Sequence, residues 1–285
     1  MTPVRQQMIT AMQMRGFSPR THQAYLQAVQ GLAGYYRQPP DRLDQGQVSA
    51  YLEYLVCERH LSAASCRLAL HGIRFLFMQV LKRGEWDVPF PVPKQPQRIP
   101  ELLTRVEVAR ILQACTNPKH HMMLEVCYGC GLRVSELCQL RVRNIDGQRH
   151  LLRVMQGKGA KDRAVILADT LLQHLRSYWQ QCRPDDWLFP SSLLPGSAIH
   201  PSSIQRVYSC TKAHAGVHRQ GGIHGLRHAY ATHLLEAGLP VHQLQHQLGH
   251  QDIRTTLRYV HWLPGMAESG SPDTDLLAQL EHRHG

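Results

Sequence analysis

Apolar residues recur at helical spacing through most of the first 84 positions. In RTHQAYLQAVQGLAGYY, Tyr25, Val29 and Leu32 fall on one side of a helix. QVSAYLEYLVCERHL and LSAASCRLALHGIRFLFMQVLKR repeat the pattern. Ser18-Pro19 supplies an N-cap followed by proline at the first helical position. The pattern predicts four helices in a small bundle over residues 1–84. It then stops. EWDVPFPVPKQPQRIPE holds prolines 89, 91, 93, 96 and 100, and a residue without an N–H and with fixed φ reads as extended linker, here 85–101.

Helical periodicity resumes at Thr104-x-x-Glu107, a capping box ahead of Val108, Ile111 and Leu112. One segment has a different period. HLLRVMQGKGAKDRAVIL places two short apolar runs around Gly157-Lys158-Gly159, which predicts a β-hairpin. Helical stretches follow near 169–182, 202–215, 224–237, 240–248 and 252–261. Gly249 is placed to end the helix before His250. The expected fold is therefore mainly α with a small β-hairpin or sheet, in two domains: 1–84 and 102–265. A tail, 266–285, is Gly/Ser/Pro/Asp-rich at first and ends in a short helix carrying Leu276, Leu277 and Leu280 on its apolar face.

Charge narrows the partners. The chain has 32 Lys+Arg against 21 Asp+Glu, a net of +11, which favours a polyanion such as nucleic acid. Residues 1–90 hold 10 basic and 6 acidic side chains, residues 91–265 hold 21 and 11, and the tail holds 1 and 4. The field is thus strongest in the second domain, and the acidic tail suits protein rather than phosphate. No apolar run reaches the roughly 18–20 residues of a spanning helix, and the N-terminus is too polar for a secretory signal. A cytoplasmic protein with no membrane partner is expected. The eight cysteines are irregularly spaced and expected as thiols. Cys127-x-x-Cys130 is half of a zinc spacing with no second CxxC to complete it.

Four motifs carry the candidate chemistry, all in the second domain. They are Tyr128-Gly-Cys-Gly-Leu-Arg133-Val-Ser-Glu136-Leu, then Gly157-Lys158-Gly-Ala-Lys161-Asp-Arg163, then His224-Gly-Leu-Arg227-His-Ala-Tyr-Ala-Thr-His, then Leu248-Gly249-His250 nine residues before Tyr259. Singly each has an ordinary reading. Arg133 and Glu136 could be an i,i+3 surface pair. His224 with His228, or His242, His246 and His250, are spaced to bind a metal or simply to pack. Tyr259 could be a core tyrosine. As an ordered set, they resemble the tyrosine recombinases, the family of phage integrases and Xer-type enzymes, over nearly the whole chain.

That resemblance implies an N-terminal helical core-binding domain that clamps DNA and a C-terminal catalytic domain. It implies the catalytic set Arg133, Lys158, His224, Arg227, His250 and Tyr259, with Glu136 supporting the first arginine and Lys161 and Arg163 contacting DNA. The chemistry fits these residue types. Phosphodiester transfer gathers negative charge on two non-bridging oxygens, and two guanidinium forks can bind them by charge-assisted hydrogen bonds. A phenol, with a pKa of about 10, needs a neighbouring base or cation to attack at neutral pH. His224 is the expected helper in proton transfer, and His250 is expected to hydrogen-bond the phosphate or the tyrosine. Lys158 is the general acid by resemblance; Lys161, three residues on, is the alternative on geometry alone.

No metal and no other cofactor is expected, and no ATP, because the covalent bond conserves the phosphodiester energy. The implied partners are double-stranded DNA recombination sites and further copies of the chain, a dimer on each site and a tetramer in synapsis. A DNA-binding regulator without catalysis would share the charge and the helices but need not hold the complete residue set. A type IB topoisomerase would share the chemistry, but the core-binding domain and tail favour a recombinase. An integron integrase would need an inserted segment between Arg163 and His224, where this chain has 60 residues, and an arm-binding phage integrase an added N-terminal domain. A simple Xer-like or mobile-element recombinase is the expectation.

Overall fold

The computed structural model describes residues 2–84, 101–155 and 162–263. Two compact units divide the chain, Met1–Arg98 and Ile99–Gly285. Nearly all regular structure is helical, with one small sheet in the second unit.

In the first unit, α1 (Pro3–Met14), α2 (Pro19–Tyr36), α3 (Gln45–Cys57) and α4 (Ala63–Phe75) form a bundle. The Ser18-Pro19 cap read from the sequence acts as expected, and the structure adds one at Asp44. Ser18 Oγ accepts from the Thr21 N–H with Pro19 following, and Asp44 and Gln47 close a capping box on α3. The Tyr25–Val29–Leu32 stripe faces inward, with Val29 and Leu32 buried among Met8, Met12, Leu52, Ile73 and Phe77. α4 runs on into one π-helical turn, Leu76–Val80.

The second unit begins with α5 (Arg105–Gln113), opened by the Thr104/Glu107 capping box, and α6 (Pro118–Gly129), capped by Asn117. The short α7 (Val134–Cys138) follows a turn at Gly131. Next comes an antiparallel sheet in the order β1-β2-β3. Its strands are β1 (Ile145–Asp146), β2 (Leu151–Val154) and β3 (Arg163–Ile166). Val154 pairs with Arg163 and Leu151 with Ile166, as a hairpin requires, while Ile145 pairs with Leu152. Leu152, Val154 and Val165 point into the core. The turn of the hairpin, with Lys158 and Lys161, lies outside the described residues, as do the linker residues 85–100 and the tail helix.

Four helices remain before α12: α8 (Asp169–Cys182), α9 (Pro201–His214), α10 (His224–Glu236) and α11 (Val241–Leu248). α12 (Ile253–His261) closes the described chain. α10 is buried on most sides, at Leu226, Arg227, Ala229, Tyr230 and Ala231 among others, so it has no single apolar stripe. A satellite core of Tyr230, Leu235, Leu244, Leu248 and Tyr259 fixes α11 and α12 against it. The sheet edge holds α11 from the other side: the Ile166 N–H donates to Gln247 Oε1 (3.1 Å) and Arg163 Nε to the Gln247 carbonyl (3.0 Å). The start of α10, the end of α11 and the face of α12 are thereby brought to one place. Among the described residues no helix is long and apolar enough to cross a membrane.

Candidate active site

A carboxylate lies at the centre. Glu136 is the third residue of α7, and its side chain turns back so that Oε2 accepts the Arg133 backbone N–H at 2.8 Å. Three guanidinium groups surround it. Arg133 Nη1 donates to Oε1 (2.7 Å), Arg163 binds both oxygens from β3 (2.7 and 2.9 Å), and Arg227 Nη1 stands 3.8 Å from Oε2. Glu136 is buried, which alone would raise its pKa, but the Arg163 and Arg133 hydrogen bonds pull it down to about 2. One anion among three cations leaves a net charge of +2 in a site where Arg227 is 3% exposed and Arg133 21%. An enclosed excess of positive charge is a place for an anion.

Arg227 projects from α10 into this cluster. Its Nη1 donates to the Gly131 carbonyl (2.6 Å), and its Nη2 to the Leu248 carbonyl (2.8 Å) and to His250 Nε2 (3.1 Å). Three of its five N–H donors are thus held by neighbours, which aims the group without exhausting it. Burial first, then repulsion from Arg133, lowers its pKa to about 10, still protonated at neutral pH. Two glycines shape the surroundings. Gly131 has φ +57°, and a Cβ there would come within 2.3 Å of the Tyr230 ring; Gly249 has φ +64°, and a Cβ there would come within 2.7 Å of Arg163 Cδ. Gly249 ends α11 in the left-handed conformation and delivers His250 to Arg227.

His250 accepts from Arg227 through Nε2, so its proton sits on Nδ1 and is donated to Thr256 Oγ1 at 2.9 Å. Burial and the adjacent guanidiniums depress its pKa to about 4, so it is neutral at pH 7. Its ring lies parallel to that of Tyr259, 6.2 Å away. Tyr259, on α12, is 4% exposed. Burial raises its pKa, and Arg227 and then Arg133 counter part of that rise. The phenol meets His228, one turn after His224 on α10: Nδ1 of His228 and the Tyr259 hydroxyl are 3.2 Å apart. His224 lies at the rim, its ring centroid 6.3 Å from that of His228, its pKa lowered by burial and by Arg227 and Arg133.

Of the residues singled out in the sequence, Arg133, Glu136, Arg227, His250 and Tyr259 therefore form one connected constellation, with His224 at its edge. Lys158 and Lys161 lie outside the described residues. Arg163 departs from its expected place on DNA. Its side chain is 8% exposed and its guanidinium is bound to Glu136 and the Gln247 carbonyl, so it supports the site from within. Two contributors were not read from the sequence as site residues, His228 having been noted only as spaced with His224 for a metal or for packing. Thr256 fixes the His250 tautomer, and His228 holds the phenol. The signal for His228 was its position, four residues after His224 and next to Arg227, which puts it on the same side of the helix. Among the described residues no three His, Cys, Asp or Glu side chains are grouped to hold a metal.

The chain thus pairs a helical N-terminal unit with a mixed C-terminal unit that holds an arginine–histidine–tyrosine cluster suited to an anion, and comparison with known proteins gives the family. Residues 101–265 match the phage integrase family and residues 4–87 the phage integrase N-terminal SAM-like domain. The chain belongs to the phage integrase family of tyrosine recombinases, enzymes of site-specific DNA recombination. It is 42% identical over 266 residues to the integrase/recombinase y4qK of Sinorhizobium fredii (strain NBRC 101917 / NGR234), covering 91% of this chain and 84% of that one. Among solved structures it is similar to XerA recombinase, with TM-score 0.55, 27% identity and 98% of each chain covered. XerH site-specific recombinase bound to palindromic difH substrate matches with TM-score 0.72 over 90% of this chain and 81% of that one; at 20% identity this is a likeness of fold.

Proposed function

We propose that this recombinase cleaves DNA by attack of Tyr259 on a backbone phosphate held by Arg133 and Arg227. The observation that carries the reading is the buried arginine excess around Glu136, with the phenol of Tyr259 against Arg227. A phosphate entering this cluster supplies the missing anion, and the guanidinium groups stabilise the charge that builds on its non-bridging oxygens. The phenol oxygen forms a bond to phosphorus and gives up its proton to the histidines of α10, His228 at 3.2 Å from the hydroxyl and His224 beyond it, the base that the family resemblance implies. The bond from phosphorus to the 5′ oxygen breaks, and that oxygen takes a proton from Lys158. The product is a 3′-phosphotyrosyl link and a free 5′ hydroxyl, and attack by another 5′ hydroxyl reverses the step without ATP.

Because charge stabilisation comes from fixed arginines, adduct formation on a nicked half-site is expected to persist in excess EDTA. Loss of the adduct with chelator and its return with Mg²⁺ would mean a metal-assisted mechanism instead. The role of Lys158 is tested by substitution. Lys158→Ala is expected to slow cleavage by about 10²–10⁴-fold, as for loss of a general acid. A substrate with sulfur at the 5′ bridging position has a leaving group that needs no proton, so it should restore the rate. Rescue of Lys161→Ala in its place assigns the role to Lys161.

The partners follow from the reaction. Exchange of strands between two duplexes requires two protomers on each site and four in synapsis, and we assign the tail 266–285 to contact between protomers in the cytoplasm. It is acidic and carries Leu276, Leu277 and Leu280, and a helix that short is stable only when packed. Truncation after Pro264 should leave binding to a single half-site intact and abolish cooperative assembly on paired sites in gel shift or sedimentation. Full synaptic complexes from the truncated chain would remove the tail from this role.

A further inference from the structure

The Tyr259 hydroxyl is held by a histidine that the catalytic set carried over from the family does not include. His228 sits in the middle of α10 with its ring between three others. Its centroid is 6.3 Å from His224 on its own helix, 5.7 Å from Tyr259 on α12, and 5.4 Å from Trp262, which meets it edge-on at 88°. Its backbone is fixed as well, the carbonyl accepting from Thr232 Oγ1 at 3.0 Å. A side chain packed this way has little freedom, so the 3.2 Å approach of Nδ1 to the phenol oxygen is a directed contact.

The donors and acceptors nearby favour one direction for that hydrogen bond. Arg227 is close enough to the same phenol to counter the rise in its pKa, and a guanidinium can only donate. With Arg227 as a donor beside the oxygen, the arrangement that uses every group has the O–H pointing at Nδ1 of His228 as the unprotonated nitrogen. Burial first, then His224 and Arg227, hold the His228 pKa down to about 4, so the imidazole is neutral at pH 7.

We propose that His228 is a positioning residue for the nucleophile: its Nδ1 holds the phenolic proton of Tyr259 away from the arginine cluster, so that the oxygen presents a lone pair to the phosphate bound there. This rests on the reading of Tyr259 as the nucleophile. A phenol free to rotate its hydroxyl would spend much of its time with the proton toward the phosphate, an orientation that cannot attack. Holding reacting atoms in an attack geometry is the contribution of such a group, and small misplacements have large consequences for rate.

The test compares His228→Leu, which keeps the bulk but offers no acceptor, with His228→Asn, whose Oδ1 reaches the place of Nδ1. Single-turnover adduct formation on a nicked half-site is measured alongside half-site affinity. His228→Leu is expected to lower the rate on the order of 10²-fold, the scale of a misplaced reactant, at unchanged DNA affinity. His228→Asn should recover most of the rate. A Leu variant as fast as the wild type, or an Asn variant no faster than Leu, overturns the proposal, since packing alone would then explain His228.

A second measurement does not depend on those variants folding. In the full chain with Tyr259→Phe, the ¹⁵N resonance of His228 Nδ1 should move downfield as it loses its donor, and an unmoved resonance also overturns the proposal. The two readings separate cleanly. An adduct that survives Tyr259→Phe overturns the nucleophile assignment and this proposal with it. A Tyr259-dependent adduct that is indifferent to His228 overturns this proposal alone.

Discussion

Tyr259→Phe is expected to bind its DNA site as the wild type does and to form no covalent adduct. The substitution removes one oxygen from a ring that is 4% exposed and packed with Tyr230, Leu244 and Leu248, so the satellite core keeps its shape. What is lost is the atom that bonds to phosphorus. No neighbour can replace it: a phosphoryl-histidine would need a ring nitrogen where the phenol oxygen now stands. His250 has both nitrogens engaged, with Arg227 and Thr256. Cleavage should therefore fall to background, while gel-shift affinity and the melting temperature stay close to those of the wild type. The check is a denaturing gel of a labelled nicked half-site beside a native gel of the same mixtures. An adduct of undiminished yield would assign the nucleophile to another residue.

Glu136→Gln is expected to cost stability as well as activity. Its carboxylate is the only anion among Arg133, Arg163 and Arg227 in the site's described contacts, and Arg163 is almost as buried as Glu136 itself. Removing one partner of a buried ion pair leaves the other charged and without compensation, which costs about 3–5 kcal/mol. The pKa shift points to a similar size. A carboxylate taken from its ordinary value of 4.5 to about 2 is worth roughly 3 kcal/mol. The sign follows from the direction of the shift. The folded pKa is depressed, so this stability is fully present above 4.5 and is lost as the pH falls from 4.5 toward 2. Wild-type denaturation midpoints should decline across that window, and Glu136→Gln should lie lower at neutral pH and decline less. Equal stability of the two proteins at neutral pH would contradict the central place given to this carboxylate.

Much of this architecture was legible because it is written in local chemistry. Ser18-Pro19 and Thr104-x-x-Glu107 mark helix starts through groups that satisfy free N–H donors, and Gly249 marks an end through a left-handed turn. The hairpin was readable from two short apolar runs around glycines. Where the local pattern is weak, the sequence said less. α6 buries Met122, Met123, Leu124, Val126 and Cys127 in succession, so no polar face gives it a period. β1 is only Ile145–Asp146, too short for any alternation, and exists because β2 is there to pair with it. The π-turn at Leu76–Val80 extends a helix with residues that would equally continue it as α.

The candidate site divides the same way. Arg133, Glu136, Arg227, His250 and Tyr259 were found as members of an ordered set, although Arg133 and Tyr259 are far apart in the chain. Their partners could not be read from spacing. Whether an arginine near a hairpin faces solvent or a buried carboxylate depends on where α7 lies, so Arg163 was expected on DNA and stands on Glu136. Whether His224 or His228 touches the phenol depends on the rotation of α10 relative to α12, which one turn of helix decides.

The most direct test of the account is to identify the bond itself. The adduct formed on a nicked half-site is digested with protease and nuclease, and the nucleotide-bearing peptide is sequenced by mass spectrometry. The account predicts one modified peptide, carrying its nucleotide on Tyr259 through a 3′ phosphate. A nucleotide on any other residue, or a link through a 5′ phosphate, would contradict it.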